Sequence, residues 1–461
     1  MQQTVKFEVE LLRRYDVTGP RYTSYPTAAQ FRPDFGVPEY RLAALRSNRQ
    51  ARPLSLYLHI PFCTSPCFYC GCTRIITRDP TRSRQYLDRL FREIELQAEM
   101  FAGRTVDQLH FGGGTPTFLD HHDMSRLMDC LTRHFMLSGE VAREVSIEID
   151  PRTVTGERMA QLAALGFNRI SFGVQDFDPR VQEAVNRIQS VEHTFAVMDA
   201  ARGAGIRSIN LDLIYGLPFQ TVDGFTRTLE TVIEFRPERL AVYSYAHLPR
   251  MFKAQRRIRD ETLPDAETKL ALLGVAIETL TQAGYVYIGM DHFALPEDEL
   301  VTAQQRGDLQ RNFHGYSTRA DCDMIGLGMS AIGKIADTYG QNTKDIGGYY
   351  AALDDGRLPI ARGLTLTADD RLRRGIIQRV MCRHEVRFSD FQFDDRASFL
   401  RYFSNAAPML ELLEGDGLVQ IKEHRLAVTA TGRLLLRVVA MAFDARLPQS
   451  SGIDVLYSRV V

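Results

Sequence analysis

Four cysteines fall within ten residues, Cys63, Cys67, Cys70 and Cys72, in the segment HIPFCTSPCFYCGC. The chain has seven in all, and Cys130, Cys322 and Cys382 stand alone, as expected of small buried hydrophobes. A tight cluster is different. Thiolates are soft ligands, and three on one short loop can each hold one iron of a 4Fe-4S cubane, leaving the fourth iron without a protein ligand. A four-cysteine zinc site normally needs two separated pairs, and no second pair exists, so the spacing favours a cluster on Cys63, Cys67 and Cys70 over zinc. Cys72 is the departure from ordinary cluster spacing.

Holding such groups takes a scaffold, and 461 residues at 44% hydrophobic suit a large α/β unit plus an appendage. From residue 54, β-branched runs (54–62, 106–113, 144–150, 168–175, 207–217, 239–248) alternate with amphipathic, helix-like stretches, two of which end in Gly. Six right-handed βα repeats predict a parallel sheet curling into a partial or full barrel, with chemistry in the loops after the strands. The cysteine loop follows the first run, at the barrel mouth. Residues 300–350, rich in Gly and polar side chains, read as a covering loop system. The three parts expected are an N-terminal arm (1–50) without periodicity, a barrel with covering loops (51–365), and a mainly helical, winged-helix-like cap (366–461).

Lys and Arg number 56 against 57 Asp and Glu. A net charge of −1 gives no bulk steering toward nucleic acid or an anionic membrane. The opening MQQTVKFEVELLRRYD lacks the apolar stretch of a secretory signal, and no segment is long and apolar enough to span a bilayer. The expectation is a soluble, cytoplasmic monomer.

The Cys-x3-Cys-x2-Cys loop after the first strand resembles the radical S-adenosylmethionine superfamily. The arm motif GPRYTSYPTA, with HFGGGTPTFL, SFGVQDF, LDLIYGLP, YAHLP, GMDHFALP and the terminal YSRVV, makes the chain similar over essentially its whole length to the oxygen-independent coproporphyrinogen III oxidase (coproporphyrinogen dehydrogenase) family. The resemblance implies a partial (β/α)6 barrel with one 4Fe-4S cluster and two S-adenosylmethionine molecules. One of these chelates the open iron through its amino and carboxylate groups, so a fourth protein ligand would block it, and Cys72 is implied to lie nearby, unligated and free for an auxiliary role.

The matching motifs imply roles for individual residues. Tyr57, which could otherwise be core, becomes a contact to the first S-adenosylmethionine. Gly112, Gly113, Gly114 and Thr115 end the second strand, where glycines let backbone approach a ligand. Glu148 is an acid in an apolar run and needs a partner, which ribose hydroxyls or an ammonium would supply. Ile332 completes the first set. Tyr69, expected to be exposed, joins Gln175, Arg187, Asp212 and Ala246 around the second cofactor. Arg187 can hold a carboxylate bidentately, and an Arg187–Asp212 salt bridge is the alternative. His59 fits either a donor behind the cluster loop or a satisfied core histidine.

The activity implied is oxidative decarboxylation of two propionates of coproporphyrinogen III to vinyl groups, giving protoporphyrinogen IX, with an electron donor and acceptor the sequence does not identify. A substrate with four carboxylates needs local cations in a nearly neutral protein. Candidates are Arg21 and the group Arg250, Lys253, Arg256 and Arg257, the last three at i, i+3, i+4 on one helix face, where a solvated face is the plain alternative. The rival readings are a haem-binding chaperone and a haem-modifying radical enzyme on the same barrel. Chaperones of that kind generally lack the fourth cysteine and the YTSYPT arm, and both are present here.

Overall fold

Alternation within the apolar runs builds the scaffold. The structure is a computed structural model that describes residues 5–139, 143–319, 322–447 and 457–460; Met1–Thr4, which open the stretch read for a signal, and Val461, which closes YSRVV, lie outside them. The six runs are strands β1 (Leu54–Ile60), β2 (Thr105–Gly113), β3 (Glu144–Ile149), β4 (Arg169–Gln175), β5 (Ser208–Tyr215) and β6 (Arg239–Ser244). They are parallel neighbours in that order, with Leu56 opposite Leu109, Leu109 opposite Val145, and Ile170 opposite both Ile147 and Ile209. These apolar residues are fully buried and share one core with Leu87, Leu90 and Ile94 of helix Pro80–Met100 and Phe225, Leu229 and Val232 of helix Val222–Phe235. The strand period of two then sends the intervening side chains inward. These are polar: His110, Ser146, Glu148, Ser171, Asn210 and Asp212 line the barrel interior. Asp79, Thr155, Ser190 and Thr221 cap helices between the strands by accepting from backbone N–H groups.

The barrel does not close. Beyond β6 the sheet ends in the antiparallel strands His292–Ala294 and Val286–Gly289. On the free edge of β1, strand Asp323–Leu327 pairs in parallel, followed by antiparallel strands Ile332–Ile335, Thr338–Asn342 and Ile360–Thr365. This corrects the reading of 300–350 as covering loops, since much of it extends the sheet. Its glycines hid the strand signal; a Cβ on Gly326 would come within 2.7 Å of the Ile332 backbone, so the close crossing itself requires the residue that blurs the pattern. Within that segment, the hairpin Gln310–Asn312/Gly315–Ser317 does stand apart from the sheet.

The N-terminal segment differs from expectation as well. It contains helices Val9–Arg14 and Val37–Asn48. Tyr22 and Tyr25, each 1% exposed, belong to a second core built mostly from the C-terminal residues. Tyr22 Oη donates to Asp444 (3.0 Å), and Tyr25 Oη accepts from the N–H of Ala445 (3.1 Å). A segment expected to be an arm without periodicity contributes to a core, because its packing partners come from the other end of the chain. Arg437 ties the two ends further, donating to Pro20 O (3.1 Å) and Ser458 O (3.0 Å).

After helix Ala368–Arg383 come strand Glu385–Arg387, helices Arg396–Tyr402 and Ala407–Gly415, and strands Val419–Lys422 and Arg425–Val428. The three strands form an antiparallel sheet with Arg425–Val428 in the middle. This is the winged-helix-like order read from the sequence. Among the described residues, no helix is long and apolar enough to cross a membrane.

Candidate functional site

The cysteine loop leaves the C-terminal end of β1 and folds over the ends of β2 to β5. Cys63, Cys67, Cys70 and Cys72 all line one cavity of about 190 Å3, together with side chains from those strand ends. Each of the three spaced thiols receives a hydrogen bond. Thr115 Oγ1 donates to Cys63 Sγ (3.4 Å), Arg187 Nη1 to Cys67 Sγ (3.3 Å), and the Cys72 N–H to Cys70 Sγ (3.4 Å). Arg152 Nη2 adds a second donor to Cys67 (3.5 Å). Donors and cations beside sulfur favour the thiolate, the form that ligates metal, but burial outweighs the Thr115 hydrogen bond at Cys63 and pushes its thiol up to about 11. The hydrogen bond with Cys72 holds the Cys70 thiol below the ordinary range, with Arg74 and Arg187 acting in the same direction. Arg74 pins the loop by donating to the carbonyls of Cys70 (2.9 Å) and Cys67 (3.1 Å).

Among the described residues, no three His, Cys, Asp or Glu side chains close on a point where a single ion could sit. Thiolates that each hold a different iron are spread wider than the ligands of one ion. The donor set, three thiols with sulfur-directed hydrogen bonds and a fourth side chain left over, therefore fits a cluster better than zinc.

The glycines that end β2 serve the protein itself. A Cβ on Gly113, at φ 111°, would lie 2.6 Å from the His59 ring, and one on Gly114 would lie 2.7 Å from the Pro61 backbone. Gly114 N–H donates to Ile60 O and Thr115 N–H to Phe62 O, both at 2.8 Å, so the cysteine loop lies directly on this strand end. His59 is satisfied on both ring nitrogens, by Tyr57 Oη (3.1 Å) and Thr73 O (3.0 Å), and wedges between loop and glycines.

Opposite the cysteines stand two carboxyls of different character. Burial works against ionising Glu148, but His110 Nε2 (3.2 Å) and the Gly113 N–H (3.3 Å) outweigh it and hold the carboxyl below its ordinary range. Burial, reinforced by the negative charge of Glu148, raises Asp212 to about 7. Ser171 Oγ (3.1 Å) and Asn210 Nδ2 (2.8 Å) donate to Asp212. A cationic ligand between the two acids would be met by one full charge and one that ionises on binding. Arg187 does not pair with Asp212. Its carboxylate partner is Asp150 (3.2 Å), which also binds Arg152. Gln175 reaches the cavity through a bulge after Gly173 that leaves it at φ 71°.

The other expected residues lie elsewhere. Tyr69 lines the cavity but is half-buried, packed beside Val181, Val185 and Tyr245 rather than exposed. Tyr57, Ala246 and Ile332 do not line it. Tyr57 meets the His314 ring at a tilt (4.9 Å) and stacks on His110 (5.8 Å), and the Ala246 carbonyl accepts from Gln255 (3.1 Å). Lys253–Arg257 is a short 3-10 turn, not the α-helix whose spacing was expected; Arg257 lies over the Phe68 ring at 5.0 Å. Arg21 pairs with Asp291 and stands 5.5 Å over Tyr243. Cys130 and Cys382 are buried as expected, whereas Cys322, just before strand Asp323–Leu327, is only partly covered.

Sequence reading missed Arg74, Asp150, Arg152, His110 and His314. The signal available was position: Asp150 and Arg152 follow β3 directly, where barrel ligands gather. His314 comes from the hairpin outside the βα repeats and stacks on His110 at 4.5 Å, with neither ring nitrogen hydrogen-bonded. No local pattern marks it.

Comparison with known proteins agrees with this geometry. The Radical SAM superfamily profile matches residues 57–232, and the HemN C-terminal domain profile matches residues 366–435. The chain is 50% identical over 450 residues to an oxygen-independent coproporphyrinogen III oxidase of Pseudomonas aeruginosa, covering 97% of this chain and 98% of that protein. It is 47% identical over 460 residues to the protein of the same name from Salmonella typhimurium, covering 100% of each. Among solved structures, the coproporphyrinogen III oxidase HemN of Escherichia coli, described as a radical SAM enzyme, superposes with a TM-score of 0.91. It shares 46% identity and covers 96% of this chain and 100% of its own.

Proposed function

This chain belongs to the oxygen-independent coproporphyrinogen III oxidases of the radical SAM superfamily, and from that membership we propose that it converts coproporphyrinogen III to protoporphyrinogen IX. The observation that carries the reading is the single cavity in which Cys63, Cys67 and Cys70 face Glu148, Asp212, Gln175 and Arg187. When bound, a 4Fe-4S cluster supplies one electron to S-adenosylmethionine, whose cleavage gives methionine and a 5′-deoxyadenosyl radical that takes a hydrogen atom from a propionate. The propionate then loses carbon dioxide and one electron to become a vinyl group.

The chain's own residues hold and orient. Cys63, Cys67 and Cys70 are the cluster ligands, and Cys72 remains unligated beside them. Gly113, Gly114, Thr115 and Glu148, with Tyr57 and Ile332 further out, hold the first S-adenosylmethionine. Tyr69, Gln175, Arg187 and Asp212, with Ala246, hold a second. Glu148 and Asp212 receive ammonium or ribose donors, and the Arg187 guanidinium takes a carboxylate. No nucleophile or general base is required; the cofactor does the difficult chemistry while the barrel excludes solvent. The chain works as a cytoplasmic monomer with a separate electron donor and acceptor.

The test is anaerobic incubation of the reconstituted, reduced protein with S-adenosylmethionine and coproporphyrinogen III, followed by oxidation and porphyrin chromatography. Protoporphyrin is the expected product. Recovery of coproporphyrin alone would contradict the reading.

A further inference from the structure

At the end of the barrel away from the cysteines lies a second, larger cavity of about 410 Å3. It is walled by Ser55 at the start of β1, by the hairpin strand Gln310–Asn312 and by helix Ala368–Arg383 of the C-terminal unit. β1 separates it from the cysteine loop by roughly 17 Å, at about 3.3 Å per residue from Ser55 to Ile60. Among the described residues its lining holds eight cationic side chains, including Arg52, Arg311, Lys334, Arg374, Arg379 and Arg383, against one carboxylate, Asp308. In a chain whose charges balance to −1, this is a marked local excess.

Some of these cations have acid partners. Arg371 (3.5 Å) and Arg374 (3.3 Å) share Asp337, and Arg379 meets Asp390 (3.2 Å), but neither acid faces the cavity. Arg311 is only 5% exposed, and its Nη1 has no hydrogen-bond partner; Nη1 of Arg374 also lacks one. A buried guanidinium nitrogen without an acceptor is costly. Burial, and next the Arg374 guanidinium, lower the ammonium of Lys334 to about 8. Crowded like charges and the orphaned donors of Arg311 and Arg374 together describe a site shaped for negative charge.

We propose that this cavity is a second ligand site, separate from the cysteine-lined one, that binds a small polyanion through its carboxylate or phosphate groups. Arginine forks suit both groups, and a cavity of this size falls within the range of small-molecule sites. The proposal holds whatever reaction the cysteine cavity carries out.

Equilibrium dialysis of the reconstituted holoenzyme tests it, with two probes: coproporphyrin III for carboxylates and inorganic pyrophosphate for phosphates. The comparison proteins are Lys334→Met, which keeps the apolar stem, and the double variant Lys334→Met/Arg374→Gln, both checked for an unchanged melting temperature. At least one probe should lose one bound equivalent in the double variant, or bind it at least about tenfold more weakly, as expected for the loss of charge-assisted bonds. Loss for coproporphyrin III alone identifies a carboxylate ligand, and loss for pyrophosphate a phosphate one. Lys334→Met should show a smaller change in the same direction. If wild type and both variants hold both probes equally, or wild type holds neither, the proposal is wrong.

Discussion

Arg187 places Nη1 3.3 Å from Cys67 Sγ, so one strand-four loop arginine donates to a candidate cluster ligand contributed by the loop after β1. The same nitrogen is 3.2 Å from Asp150 Oδ2. Hydrogen bonds and positive charge at a ligating sulfur raise a cluster's reduction potential. Arg187→Met should therefore assemble a cluster whose potential is more negative by several tens of millivolts, given about 60 mV per tenfold change in a one-electron equilibrium. An EPR-monitored redox titration reads this directly, and an unchanged potential would show that the contact does not matter to the cluster.

The four cysteines should separate into two classes. Replacing Cys63, Cys67 or Cys70 with Ala is expected to abolish the cluster's visible absorbance and all cleavage of S-adenosylmethionine. Cys72→Ser should keep full iron content, with any loss confined to turnover. Iron analysis after anaerobic reconstitution decides, and a Cys72→Ser protein without iron would reverse the assignment.

Asp212 gives a pH signature. Its carboxyl is raised from 3.8 to about 7 in the folded chain, by burial first and by Glu148 second. The unfolded chain loses that proton earlier, so folding is penalised increasingly as pH rises from about 4 to about 7, and constantly above. Asp212→Asn removes a penalty of up to ~4 kcal/mol at 1.36 kcal/mol per pKa unit. The variant should melt above wild type at pH 8, with the gap closing toward pH 4. A gap independent of pH would mean that Asp212 titrates normally.

Arg21 tests the arm. Deleting the residues before about 36 would remove Tyr22 and Tyr25 from the second core, so truncation would test folding instead of substrate binding. Arg21→Gln is the cleaner change. It should raise KM for coproporphyrinogen about tenfold, near 1.4 kcal/mol, with a smaller effect on kcat. A kcat loss at constant KM would place Arg21 outside substrate binding.

Much of the barrel was legible because its strands obey a period of two and its helices are capped by local residues such as Ser190 and Thr221. The cysteine spacing was equally readable, since Cys63 to Cys72 is a local pattern. What escaped depends on distant partners. Tyr22 and Tyr25 looked like turn residues because Asp444 and Ala445 complete their environment from the far end of the chain. The strand Asp323–Leu327 was missed because it is short, Gly326 interrupts its apolar run, and the segment around it is rich in glycine. His314 carried no signal because its role as a wall of the barrel interior depends on where an isolated hairpin docks.

One radical event at the cysteine-lined cavity is expected to remove each of two propionate carboxyls. Counting products in a single anaerobic reaction with coproporphyrinogen III as substrate checks this. Two molecules of 5′-deoxyadenosine and two of carbon dioxide are expected for each protoporphyrinogen IX formed. Porphyrin that is bound and recovered with all four carboxylates, while 5′-deoxyadenosine accumulates without carbon dioxide, would contradict it.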